Sequence, residues 1–220
     1  FLVKLLKQSN YNLNNLQEEQ QSADMLNCID SMSKDPIPVI YQSGYLTIKG
    51  YDEEFGWYQL GFPNKEVENG FIKYLLPYYT PVEEKRSEFF VGNFIRDIRK
   101  GDPDAFMERM QTMFADTDYK IAGKLELYFQ NAMYVIFKMM GFYTEVERTT
   151  SRGRIDVLIQ TQDYVYVIEL KLDGSVDEAL KQIDDKGYAA PFANDKRTLY
   201  KIGVNFSSEI RGIAEWKIES

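Results

Sequence analysis

The 220-residue chain contains 26 Lys and Arg residues, 34 Asp and Glu residues, one Cys and no His. Without His it cannot build a Ser-His-Asp or Cys-His catalytic centre or a His-ligated zinc site. Any catalysis must therefore use carboxylates, Lys, Tyr or a metal ion. The single Cys28 excludes an intrachain disulfide and favours a reducing, cytoplasmic compartment. The apolar content of 44% and the aromatic content of 15% are those of a globular protein.

The net charge of −8 argues against a nucleic-acid ligand only if the charge is spread evenly. Residues 1–118 contain 12 basic and 19 acidic residues, whereas residues 119–220 contain 14 and 15. The second part is close to neutral, so the acidity of the first part does not exclude a nucleic-acid partner for it. The chain has no apolar run of about 18 residues and no signal-peptide pattern, so we expect no membrane partner. Because it begins with Phe1 rather than Met, we expect a fragment or a processed product.

Residues 1–82 are predicted to form a small α+β module. Leucines at helical spacing predict helix in the first forty residues, ending before Pro36. Two segments rich in aromatic and β-branched residues, 45–49 and 57–60, predict a β-hairpin. A helix follows from Asn64, a suitable N-cap, to Pro77.

Residues 83–118 are predicted to be a helical connector. One helix spans 87–100 and stops at Gly101, and a second begins after Asp102. The second helix has a stripe of Met and Phe side chains, and its amphipathic spacing favours core packing over a cofactor site.

Residues 119–220 are predicted to form an α/β domain. The elements are a helix at 124–140, strands at 142–148, 154–160 and 164–172, a helix from 175 to 187, a strand at 199–206 and a further candidate strand at 213–218. Ser175 and Glu178 form the capping box that opens the second helix.

A predicted hairpin within this domain places charged side chains together. If residues 162 and 163 form a two-residue turn, Asp156 lies opposite Glu169, and Lys171 shares their face of the sheet. Both faces are apolar, which indicates a hairpin covered on both sides. Two carboxylates in such a place need compensating charge, which Lys171 and a hard divalent cation, Mg²⁺ or Mn²⁺, can supply. The alternatives are a structural ion network or a longer turn with a different register.

The motif Gly153-Arg154-Ile155-Asp156 followed by Glu169-Leu170-Lys171 resembles the bipartite signature of the PD-(D/E)XK nuclease superfamily over residues 119–220. The resemblance implies a restriction-endonuclease-like core: a mixed central sheet flanked by helices, in the order helix-strand-strand-strand-helix-strand, making the chain α/β and α+β overall. It implies metal-dependent phosphodiester hydrolysis of nucleic acid, and we expect DNA. Asp156, Glu169 and the Leu170 carbonyl would ligate the metal. Lys171 would orient or deprotonate the attacking water, or neutralise charge on the phosphate.

Further candidate site residues surround this signature. The resemblance implies an additional acid from the first helix, Glu126, and substrate-binding roles for Gln182 and Tyr188, which are similar to the Gln and Tyr of the RecB-like branch. Arg152 and Arg154 flank the loop before the Asp156 strand, where they could contact the nucleic-acid backbone. The structural alternatives are a solvent-facing Glu126, an ordinary half-exposed helical Gln182, core packing of Tyr188 and solvated loop arginines.

The N-terminal hairpin and residues 61–67 resemble the tail of bacterial proteins that join an AAA-ATPase-like domain to a PD-(D/E)XK domain, the type called DUF1703. In that arrangement the nucleotide-binding part lies upstream of Phe1 and is missing, so the resemblance does not imply ATP binding by this chain. A second hypothesis is a catalytically silent binding or regulatory module attached to the ATPase. A third makes the N-terminal module a protein-interaction surface, although its aromatic residues could equally pack a small core; they are Tyr41, Tyr45, Trp57 and Tyr58.

Overall fold

The computed structural model of the chain is a mixed α+β structure with two sheets. It describes residues 2–17, 19–28, 35–115, 125–141, 145–147 and 156–220. The chain divides into two compact units, residues 1–79 with 121–135 and residues 80–120 with 136–220. No helix in the described part of the chain is long and apolar enough to span a membrane.

The first unit contains a three-stranded antiparallel sheet in the order β1-β3-β2. Its strands are β1 (Gln20–Ser22), β2 (Thr47–Asp52) and β3 (Trp57–Gly61). Its helices are α1 (Leu2–Gln8), α2 (Ala23–Asn27), α3 (Ile37–Gln42) and α4 (Lys65–Tyr79). The predicted β2–β3 hairpin is confirmed. The short helices of the first forty residues are interrupted by β1, whose Gln-Gln-Ser sequence has no strand pattern.

Helix α4 begins as predicted but ends later. The Asn64 side chain accepts a hydrogen bond from the Val67 amide at 2.9 Å, which confirms the N-cap. The helix continues through Pro77 to Tyr79. Its buried stripe includes Leu75, Leu76 and Tyr79, and this packing outweighs the hydrogen bond that proline removes near the helix end.

The second unit contains a five-stranded mixed sheet in the order β4-β5-β6-β7-β8. Its strands are β4 (Glu145–Glu147), β5 (Val157–Gln160), β6 (Tyr164–Leu172), β7 (Thr198–Ser207) and β8 (Gly212–Glu219). Its helices are α5 (Ser87–Lys100), α6 (Pro103–Ala115), α8 (Val176–Asp185) and the end of α7 (Leu125–Gly141). Strands β6 and β7 are parallel and the other pairs are antiparallel. The predicted element order and the restriction-endonuclease-like fold class are confirmed, and β6 is the central strand.

The compact units differ from the predicted domain boundaries. Helices α5 and α6, predicted as a connector, belong to the second unit and pack on one face of its sheet. The Tyr166 hydroxyl donates to the Ile98 carbonyl at 2.6 Å, and the rings of Phe114 and Phe206 are 5.1 Å apart. Helical periodicity predicts that a helix has a buried face but not which surface covers it. Residues 125–135 of α7 belong to the first unit, where the buried Asn131 accepts from the Leu13 amide at 2.9 Å.

Helix α8 covers the other face of the sheet. The predicted capping box is present, with Ser175 and Glu178 each bonding the other's backbone amide, at 3.1 and 3.0 Å. Gly203 in β7 permits a close approach, because a Cβ atom there would lie 2.4 Å from the Val176 carbonyl. The cluster between helix and sheet is apolar and consists of Leu158, Val165, Val167, Leu180, Ile183 and Tyr188.

Candidate active site

The β5–β6 hairpin has the predicted register. The Thr161 amide donates to the Tyr164 carbonyl at 2.9 Å, and Val157 pairs with Ile168. One residue before β5, the Asp156 Oδ2 atom accepts a hydrogen bond from the Leu170 amide at 2.8 Å. Asp156 therefore lies beside the segment of β6 that carries Glu169 and Lys171, as the turn predicted.

Glu169 is a buried carboxylate, and its residue is only 2% exposed. Its Oε1 atom accepts a hydrogen bond from the Gln182 amide nitrogen and lies 3.5 Å from the Lys171 ammonium. Its Oε2 atom is buried and has no hydrogen-bond partner among the residues that the structure describes. A buried polar atom without a partner is costly, so a cation or a donor group at this oxygen would be favourable.

The surroundings of Glu169 raise the pKa of its carboxyl group. Burial is the largest cause and the negative charge of Asp156 the second, and together they raise the pKa of Glu169 to about 7. The positive charge of Lys171 acts in the opposite direction but does not compensate. A bound cation would favour the ionised form, because opposite charge lowers a carboxyl pKa.

Gln182 on α8 hydrogen-bonds two of the candidate catalytic residues on β6. Its amide nitrogen donates to Glu169 and its carbonyl oxygen accepts from the Lys171 ammonium. Gln182 thus lies within the cluster and is not an ordinary surface side chain of α8. Only 3% of Tyr188 is exposed, and the residue packs in the apolar cluster between α8 and the sheet, so its ring is not available to stack on a base.

The loop after β6 packs against the stem of Lys171, and the sequence did not indicate this contact. A Cβ atom at Gly174 would lie 3.1 Å from the Lys171 Cβ atom, so the lysine stem packs against the loop backbone. The Gly174 amide donates to the Asn205 side chain at 3.1 Å, and Asn205 pairs with Lys171 in the β6–β7 register. No sequence signal gives the register of a parallel pair joined through a helix, so Asn205 could not be identified.

The remaining predicted residues have different outcomes. The Leu170 amide points toward Asp156, and because the amide and carbonyl of a strand residue point to the same side, its carbonyl also points there. Glu126 lies in α7, in the part that belongs to the first unit, and its side chain is outside the described residues. Arg152 and Arg154 also lie outside the described residues.

The donor set fits a hard divalent cation. Asp156, Glu169 and the Leu170 carbonyl offer oxygen atoms only, which Mg²⁺ and Mn²⁺ prefer. The unpartnered Glu169 Oε2 is an atom that such an ion would satisfy. Within the described ranges, no group of three or more Asp, Glu, His or Cys residues could hold a metal. The described part of the site offers two carboxylates, Asp156 and Glu169, and an ion held by these alone would keep part of its water shell.

Comparisons with known proteins agree with this geometry. Residues 124–216 match the family described as the PD-(D/E)XK nuclease superfamily, and the match contains the whole β5–β6 cluster. A curated relative, "Uncharacterized protein in vnfD 5'region" of Azotobacter chroococcum mcd 1, is 26% identical over 230 residues. The alignment covers 100% of this chain and 44% of the relative, so the chain spans less than half of the relative's length. No solved structure matches the chain. Residues 124–216 thus form a PD-(D/E)XK nuclease superfamily domain.

Proposed function

We propose that this domain hydrolyses phosphodiester bonds in DNA with the help of Mg²⁺ or Mn²⁺. The observation that supports the proposal best is the state of Glu169, a buried carboxylate with one unpartnered oxygen and a pKa raised to about 7. Such a group is unfavourable for folding and is typical of functional sites. A divalent cation next to Asp156 would supply both the missing partner and the missing charge.

Each residue of the cluster has a separate role in this proposal. Asp156, Glu169 and the Leu170 carbonyl hold the metal. When bound, the ion polarises a phosphate oxygen and lowers the pKa of a water molecule toward ~7, which replaces the absent His. The Lys171 ammonium, 3.5 Å from Glu169 Oε1, orients the attacking water or stabilises the charge that develops on the phosphate.

Gln182 connects Glu169 and Lys171 in this proposal. It holds Glu169 and Lys171 through the two ends of one amide group. The amide engages Oε1 of Glu169, so Oε2 is the oxygen that Glu169 would offer to a cation. Arg152 and Arg154 remain candidates for contacts to the nucleic-acid backbone, because they immediately precede Asp156 in the sequence.

A cleavage assay tests the proposal. The purified chain should nick or degrade single-stranded, double-stranded or branched DNA when Mg²⁺ or Mn²⁺ is added, and chelation should stop the reaction. Glu169→Gln should abolish cleavage, whereas Asp184→Asn, an exposed acid on α8, should not. In the same way Lys171→Met should be inactive and Lys181→Met, exposed on the same helix, should be active. A wild-type protein that is inert on all three substrates with both metals would overturn the proposed activity.

The competing function is a catalytically silent nuclease-fold module that binds or regulates, joined to an AAA-ATPase-like domain. Two observations favour it: the described residues supply only two carboxylates, and the Gln182 amide already engages Glu169. Its signature would be DNA binding by the wild type without cleavage, with equal affinity for Asp156→Asn. The ATPase context itself is testable in a longer chain by nucleotide binding.

A further inference from the structure

The tip of the β2–β3 hairpin presents large aromatic side chains to solvent. Tyr51, Phe55 and Trp57 are 53%, 59% and 44% exposed. The rings form two pairs, with Phe55 and Trp57 at 5.3 Å and Tyr51 and Tyr58 at 4.8 Å between centroids. In the register Tyr51 pairs with Tyr58 and Asp52 pairs with Trp57, so the two ring pairs lie on opposite faces of the hairpin. The Phe55–Trp57 pair is the exposed aromatic pair that lies beside the acidic turn. Paired exposed aromatic rings rimmed by polar residues are typical of interaction sites.

The base of the same hairpin is firmly packed. Leu60 is only 3% exposed, and the rings of Tyr45 and Phe62 lie 4.8 and 5.6 Å from that of Phe71 in α4. Two of the four aromatics proposed from sequence, Tyr45 and Trp57, therefore have opposite environments. Strand β3 is anchored in the core through Leu60, whereas β2 is half-buried or exposed along its length.

The tip is also held in one conformation. The Asp52 side chain accepts hydrogen bonds from the amides of Glu54 and Phe55, at 3.0 and 3.1 Å. The Gly56 amide donates to the Asp52 carbonyl at 2.8 Å, and Gly56 has a positive φ of 71° that glycine adopts without strain. Rings on a fixed turn lose little entropy on binding, which is typical of the aromatic anchors of interfaces.

The charge around the rings selects the partner. Asp52, Glu53 and Glu54 lie within the turn, and residues 50–64 contain no Lys or Arg. A nucleic acid would be repelled by three carboxylates, even though its bases stack on aromatic rings. The outer edge of β2 has a bulge and carries Lys49, features that disfavour strand addition. The side chains of the tip, and not the strand edge, are the contact surface.

We propose that this aromatic-acidic tip, formed by Phe55 and Trp57 with the turn acids 52–54, docks a protein segment that presents apolar side chains flanked by Lys or Arg. The apolar side chains of the partner cover the exposed rings, and its cations lie against the carboxylates. This interaction does not depend on the nuclease activity.

The test uses a defined probe, a fluorescently labelled amphipathic helical peptide of about 14 residues made of Leu and Lys. Anisotropy should report saturable binding that weakens with salt and falls about tenfold or more in Phe55→Ser/Trp57→Ser. Glu53→Gln/Glu54→Gln should also weaken it. The control variant is Phe89→Ser. Phe89 lies in α5 and is 73% exposed, and the variant should bind the peptide like the wild type.

Several results would overturn the docking surface. These are no binding of the peptide, equal binding by the Phe55→Ser/Trp57→Ser variant, or equal binding of a peptide with Glu in place of Lys. Trp57-dependent binding of a labelled thymidine oligonucleotide would instead assign the tip to single-stranded nucleic acid and would also overturn the proposal. The substituted side chains are exposed, so every variant should keep the wild-type Tm. A thermal melt of each variant checks this and excludes unfolding as the cause of a loss of peptide binding.

Discussion

The two hairpins of the molecule both carry clustered carboxylates, in opposite settings. In β2–β3 the acids lie at the turn, where Glu53 and Glu54 are exposed. In β5–β6 they lie at the open end beside α8, where Glu169 is 2% exposed and one of its oxygens has no partner among the described residues. Water stabilises the first group directly, whereas burial penalises ionisation of the second, which a cation would offset in the proposed function. Burial, and not the number of acids, distinguishes a charged surface from a site of chemistry.

Substitution of the acids in the two hairpins should have its largest effect on the rate of DNA cleavage. Asp156→Ala or Glu169→Ala should lower the single-turnover rate by about 10³-fold or more, because each loses several kcal/mol of metal-dependent stabilisation. Asp52→Asn/Glu53→Gln in the other hairpin should leave the rate within about twofold. If the variants of both hairpins lost the same factor in cleavage rate, burial would not be what distinguishes catalytic acids from surface acids.

The next effect concerns the backbone that supports Lys171. Gly174→Ala places a methyl group 3.1 Å from the Lys171 Cβ atom and should lower kcat about tenfold with little change in KM or Tm. Gly92→Ala in α5 is the matched control, since an added Cβ atom there meets nothing within 4 Å. If wild type cleaves DNA and Gly174→Ala retains its kcat, the loop does not position the lysine.

A third effect is on stability and its pH dependence. The pKa of Glu169 is raised from 4.5 to about 7, so the folded protein retains a proton that the unfolded chain has released in this window. Stability from this group is present below pH 4.5 and is lost as the pH rises through 7. In metal-free buffer, Glu169→Gln should raise Tm by about 3 to 8 °C at pH 8 and leave it nearly unchanged at pH 4.5. A variant that is less stable than wild type at pH 8 would contradict the raised pKa.

The smallest effect is at the exposed turn. Asp52→Ala removes the acceptor of two backbone amides and should lower Tm by about 2 to 4 °C. Asp52→Asn keeps a side-chain carbonyl acceptor and should lose less than half of that. Calorimetric melting of the two variants checks this, and equal losses would show that the charge of Asp52, and not its hydrogen bonds, holds the turn.

The elements that local chemistry defines were predictable from the sequence. The two-residue turn gave the register that brings Asp156 to β6, and Ser175 with Glu178 marked the start of α8. The contacts between distant segments were not predictable. The bond from Gln182 to Glu169 depends on how α8 lies on β6, and the role of Asn205 depends on the β6–β7 register. The stripe on α5 predicted burial but not the sheet that covers it.

The central claim is that Asp156 and Glu169 of the β5–β6 hairpin bind a divalent cation. Isothermal titration with Mn²⁺ at pH 8 tests it most directly, because the titration measures cation binding independently of DNA cleavage. Wild-type protein should bind Mn²⁺ with a saturable heat, and Asp156→Asn and Glu169→Gln should each abolish it, while Asp52→Asn binds like the wild type. Binding that is unchanged in Asp156→Asn, or absent from the wild type, would contradict the assignment of this hairpin as the metal site.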